Sequence, residues 1–98
     1  MGNGKEMILP AARQDAAQRL SRIEGQVRGI KKMVEEGRYC VEVLGQVSAA
    51  QEALRGVGKL IMRNYLENCV TTALRSGSKK RADETYGELM DVIYKFAK

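Results

Sequence analysis

Residues 39–74, YCVEVLGQVSAAQEALRGVGKLIMRNYLENCVTTAL, carry the fold of this chain in their spacing. Val43, Val47, Ala50, Leu54, Val57 and Ile61 keep a seven-residue repeat for nearly three heptads. That seam predicts one long helix from Tyr39 to Leu74, suited to packing on a neighbouring helix and on a second subunit. The stretch also holds both cysteines of the chain, Cys40 and Cys69, and the chain has no histidine. At about 100° per residue, their separation closes almost to whole turns, so the thiols are expected on one face. At about 1.5 Å rise per residue, they also stand roughly 43 Å apart along the axis. A disulfide needs Cα atoms within about 7 Å, which one straight helix cannot supply. Two copies packed antiparallel bring Cys40 of one beside Cys69 of the other. The thiols are therefore either buried filler or a site shared between subunits.

The flanking segments read as helices too. Leu20, Ile23, Val27, Ile30 and Val34 alternate three and four apart, which predicts helix 1 over Ala11 to Glu36, with Gly37 as its stop. Gly25 and Gly29, four apart inside it, leave room for close approach of another helix or a DNA backbone. Tyr86, Leu89, Met90, Ile93 and Phe96 form the apolar side of a third helix, Lys80 to Phe96, after a Ser76-Gly77-Ser78 turn. Residues 1–10 read as a flexible arm and 11–98 as a single helical domain. The expectation is all-α: a three-helix subunit of 98 residues, too small to bury much surface alone and therefore oligomeric.

Composition narrows the function. There is no apolar run of signal-peptide or membrane-spanning length, so a cytoplasmic protein that does not engage a membrane is expected. A chain without Cys-x-x-Cys, without a histidine base and without a strand scaffold does not read as a thiol enzyme. A net charge of +5 favours a polyanionic partner. Arg19 and Arg22 flank one side of the helix 1 stripe, and Arg28, Lys31, Lys32 and Arg13 the other. Arg55, Lys59 and Arg63 fall at i, i+4 and i+8 on helix 2, opposite its seam, with Glu52 and Glu67 off that stripe. Such faces fit double-stranded DNA, but by charge alone they fit ordinary solvated surfaces better. There is no helix-turn-helix or zinc-finger spacing, so any DNA contact comes from a helical surface assembled by several subunits.

Cys40 lies in the first turn of its helix, near Arg38, where the helix dipole and the guanidinium favour the thiolate. It is the expected attacking thiol, and Cys69 its resolving partner. Zinc is disfavoured with two thiols and no imidazole, whereas Cu(I) accepts two soft ligands. Tyr65 precedes Cys69 by one turn on the same face, and its oxygen is a hard, poor ligand.

RLSRIEGQVRGIKKMVEEGRYCVEVLGQVSAAQEAL (19–54) and NYLENCV (64–70) closely resemble the copper-sensitive operon repressor and nickel/cobalt repressor family. The resemblance spans about residues 13–96. It implies an antiparallel dimer, a disc-like tetramer (a dimer of dimers), repression at operator DNA, and sensing between helices 2 of two subunits. It places DNA contact on Arg19, with Arg55 and Lys59 nearest to a second basic position occupied here by Gly56. Copper sensors of the family use Cys, His and Cys; here these positions are Cys40, Tyr65 and Cys69. Nickel/cobalt members need histidines that this chain lacks. What remains is similar to the persulfide sensors, in which sulfane sulfur donors convert the intersubunit dithiol to di-, tri- or tetrasulfide bridges. Tyr39 and Glu88 resemble positions that relay copper binding. The resemblance thus implies a repressor sensing reactive sulfur through Cys40 and Cys69, without a cofactor; the alternative is a Cu(I) sensor on the same two thiols.

Overall fold

The computed structural model describes residues 8–96. Residues 1–7, most of the expected arm, lie outside them. The described chain is helical in three runs, with short turns between them: α1 is Pro10–Glu35, α2 is Cys40–Asn64, and α4 is Lys79–Phe96. A π-helical turn, Tyr65–Val70, and the short α3, Thr71–Arg75, continue α2.

Each helix end has a local cause. Pro10 opens α1, where its missing N–H costs nothing. At the other end Arg38 N–H donates to the Met33 carbonyl and Gly37 N–H to Val34, at 3.0 and 3.1 Å. This six-to-one and five-to-two pair needs a left-handed residue, and Gly37 sits at φ 70°. The Tyr39 carbonyl then receives the N–H groups of Glu42 and Val43, so α2 starts with Cys40 as its first residue. Gly77, at φ 81°, turns the chain before α4. Ser78 caps that helix, its hydroxyl accepting from Arg81 N–H at 3.1 Å.

The chain forms two compact units. In the first, Leu9–Met62, α1 and α2 make a helical hairpin. Its centre is Ala16, Ile23 and Val57, packed on by Ala53, Leu60 and Ile61. Of the expected helix 1 stripe, only Ile23 is buried and Ile30 half-buried; Leu20, Val27 and Val34 remain exposed. On α2, Leu54 leaves the expected seam and is 52% exposed, while Ala53 and Leu60 point inward. The heptad pattern holds enough apolar residues for two stripes, and the hairpin covers one of them. Gly25 and Gly29 are not approached by another backbone within the unit: a Cβ at Gly29 would meet nothing within 4 Å.

The second unit is built on residues 63–96, where the π turn and α3 meet α4. Val70 and Ala73 are its buried apolar side chains. On α4, Leu89 is half-buried, and Tyr86, Met90, Ile93 and Phe96 are exposed. Apolar surface of this extent on one small chain is what a second copy would cover.

Candidate sensing site and basic surface

The unit of residues 63–96 contains Cys69, one of the two candidate thiols. Cys69 lies inside the π turn and is half-buried. Tyr65 lies at the start of the same turn. Its hydroxyl donates to Glu88 Oε1 at 2.7 Å, which ties the turn to α4. Burial raises the Tyr65 pKa above its ordinary 10.0, and the hydrogen bond to Glu88 and the charges of Glu88 and Cys69 push the same way. The phenol is therefore neutral throughout the physiological range, and its one proton is committed to a carboxylate. That leaves Tyr65 a hydrogen-bond donor and not a metal ligand.

A raised tyrosine pKa means that the folded state holds its proton more tightly than the unfolded chain. The stabilisation is complete below the ordinary value and is lost as pH rises through the folded one. Native protein should therefore show a tyrosinate absorbance titration that extends above the ordinary range, with stability falling over the same window. Tyr65→Phe should remove the extension. An unchanged titration in that variant would remove Tyr65 as its source.

Cys40 and Tyr39 belong to the other unit. Cys40 is exposed at the first residue of α2, as its position in the sequence implies. Arg38, expected near this thiol, is paired with carboxylates. Its guanidinium binds Glu42 at 3.2 Å and approaches Glu36 at 3.9 Å, so two carboxylates share its charge. Tyr39 is 66% exposed, and its main-chain carbonyl, not its ring, starts the helix.

The expectation that both thiols share one helical face assumed an uninterrupted α step. Residues 65–70 do not keep that step: π hydrogen bonds close rings one residue wider, so the register before the turn does not run through it. Nothing in the apolar spacing announces this turn. The signal lies in Asn68 and Thr71, whose side chains compete for main-chain partners inside a helix. Among the described residues, no group of three or more Cys, Asp or Glu is placed to hold a metal within one copy.

The basic residues divide likewise. In the first unit, Arg19 pairs with Asp15 at 2.9 Å and reaches across to α2, where its Nη1 would stand 3.5 Å from a Cβ at Gly56. Such a Cβ would be in ordinary contact, so the Arg19 guanidinium lies alongside Gly56, near the helix positions of Arg55 and Lys59. Both of these are exposed, as is Arg22. Glu52 and Glu67 are less remote from the basic stripe than expected. Glu52 lies 3.9 Å from Arg55, and Glu67 binds Arg63 at 3.0 Å in the second unit. Three or four residues of helix bring such side chains within reach even when their Cβ directions differ. These are exposed pairs, worth about 0.3–0.5 kcal/mol each, so a phosphate can replace the carboxylate.

Residues 12–95 match the metal-sensitive transcriptional repressor family. The chain is 48% identical over 80 residues to the copper-sensing transcriptional repressor CsoR of Bacillus subtilis (strain 168), covering 82% of this chain and 76% of that protein. It is 51% identical over 61 residues to the copper-sensing transcriptional repressor RicR of Mycobacterium tuberculosis (strain ATCC 25618 / H37Rv), covering 62% and 64%. Its fold is similar to the crystal structure of the copper-sensing repressor CsoR with Cu(I) from Geobacillus thermodenitrificans NG80-2. That match has a TM-score of 0.84 and 44% identity, over 95% of this chain and 94% of the other. The helical architecture, the matched span and these identities together make the chain a member of the metal-sensitive transcriptional repressor family.

Proposed function

We propose that this protein is a DNA-binding repressor whose effector is Cu(I), held by Cys40 of one copy and Cys69 of another. The observation that carries this is the donor set. Two thiols are the only cysteine ligands, there is no imidazole, and the nearest oxygen candidate, the Tyr65 hydroxyl, is bonded to Glu88. Soft thiolates with no hard donor suit Cu(I) over zinc, nickel or cobalt. The relatives named copper-sensing support the same choice. When bound, the ion would supply a bond between two helices of different copies. This chain's contribution is to place Cys40 at a helix start and Cys69 in a turn tied to α4. Any effector acts only by stabilising one arrangement of the oligomer over the other.

A second reading stays on the same thiols. The same donor set, two thiols and no histidine, also suits sulfane sulfur as the signal. The Cys40 thiolate would attack the outer sulfur of a persulfide donor, giving a Cys40 persulfide and releasing the donor thiolate. Cys69 of a second copy would then attack the Cys40 sulfur, expelling hydrosulfide and leaving a disulfide.

Two anaerobic titrations of DNA-bound protein separate these readings: Cu(I) against a competing chelator, and inorganic polysulfide. The copper reading expects tight Cu(I) binding and DNA release at one ion per thiol pair. Release by polysulfide alone, with a cross-linked Cys40–Cys69 peptide in the mass spectrum, would replace it with the sulfur reading.

For DNA binding, the proposed surface on the first unit is Arg19 with Arg55 and Lys59, with Arg22 at its border; Arg63, on the second unit, is a separate candidate. Arg19→Ala should weaken duplex binding uniformly across sequences and lower the salt slope by about one for each contacting copy. Asp15→Asn, which frees Arg19 from its pair, should strengthen binding. A salt slope unchanged in Arg19→Ala would take Arg19 off the surface.

A further inference from the structure

Between α2 and α3 the main chain widens for one turn. Thr71 N–H reaches back to the Leu66 carbonyl, five residues away, and Tyr65–Val70 is π-helical. In an α ladder the Asn64 carbonyl would take the Asn68 N–H, and the Leu66 carbonyl the Val70 N–H. Here side chains reach both carbonyls. Asn68 Nδ2 donates to Asn64 O at 3.1 Å, and Thr71 Oγ1 donates to Leu66 O at 2.8 Å. The wide turn is thus clasped at each end by a residue that is a poor helix former. These side-chain bonds add to the wide main-chain ladder, and π turns are rare without a local reason. Cys69 lies within this turn, next to Asn68. A one-residue slip to α geometry would swing its side chain by about 100°.

We propose that Asn68 is a positioning residue for Cys69. Its side-chain amide, by holding the Asn64 carbonyl, retains the π turn and so sets the direction in which the Cys69 thiol leaves the helix. Thr71 is the second clasp. The biological consequence rests on Cys69 being a sensing thiol, but the turn and the thiol direction do not, and they can be read without any effector.

The test uses reduced full-length protein and iodoacetamide at pH 8, with alkylation of Cys69 and Cys40 followed separately by peptide mass spectrometry. Cys40 is the internal reference. Asn68→Leu keeps the branched shape, loses the donor and favours the α form. It should change the Cys69-to-Cys40 rate ratio by at least about threefold, with helicity retained. In urea the ratio should return to that of unfolded wild type. Asn68→Ser retains a hydroxyl able to reach the i−4 carbonyl and should stay within about twofold of wild type. Asn68→Asp keeps the shape with no donor at this pH, and it should behave as Asn68→Leu even if the leucine variant fails to fold. An unchanged ratio in folded Asn68→Leu or in Asn68→Asp overturns the proposal, as does an Asn68→Ser shift as large as the leucine one.

Discussion

Cys69→Ala protein should bind DNA as the wild type does and keep it when effector is added. The thiol is half-buried in a turn that ends on buried Val70, so the alanine removes a sulfur and little else from the packing. Its loss leaves one thiolate at each site. A single soft ligand does not hold Cu(I), and the affinity should fall by at least about two orders of magnitude. Cys40→Ala should have the same effect from the other side, because its thiol is exposed at the first residue of α2 and carries no packing of its own. The measurement is fluorescence anisotropy of a labelled duplex, selected from random sequence by wild-type protein, titrated anaerobically with effector. Release of either variant at the wild-type effector concentration would show that the thiols are filler. Because sulfane sulfur needs both thiols as well, this result tests the site whichever effector is correct.

Tyr65→His is expected to have the second large effect. Tyr65 shares the π turn with Cys69, close enough for the charge of Cys69 to raise its pKa. An imidazole placed there presents a nitrogen donor to the same space, while its other ring nitrogen can still donate to Glu88. Cu(I) affinity should rise by more than about tenfold, since a third ligand joins two thiolates. Sulfur chemistry needs no third ligand, so the polysulfide response should hardly change. If Cu(I) affinity is the same in Tyr65→His and wild type, position 65 does not face the bound ion. Competition with a Cu(I)-specific chelator reads this directly.

Much of the molecule was legible in its residues. Gly37 after a three-and-four apolar stripe marked the end of α1, because a left-handed residue closes that helix with two reversed hydrogen bonds. Cys40 was legible as a helix-start thiol. The partner of Arg38 was not, since two carboxylates within reach compete for one guanidinium. Leu54 and Leu20 looked inward by periodicity and face outward in the hairpin. An apolar stripe says that something covers it, not what does.

The sequence by itself determined three helical runs, their turns, and a pair of thiols with no histidine to join them. Those follow from periods and from residue types whose effects act within a turn or two. Only the tertiary structure decided which apolar stripe the hairpin buries, that Arg19 lies over Gly56, and that Tyr65 gives its proton to Glu88. These contacts join residues at least 23 positions apart, and such separations carry no local signal. The π turn is intermediate: its clasps are local, yet the helical pattern on both sides conceals it. The cause is that two side-chain hydrogen bonds, not hydrophobic spacing, set its register.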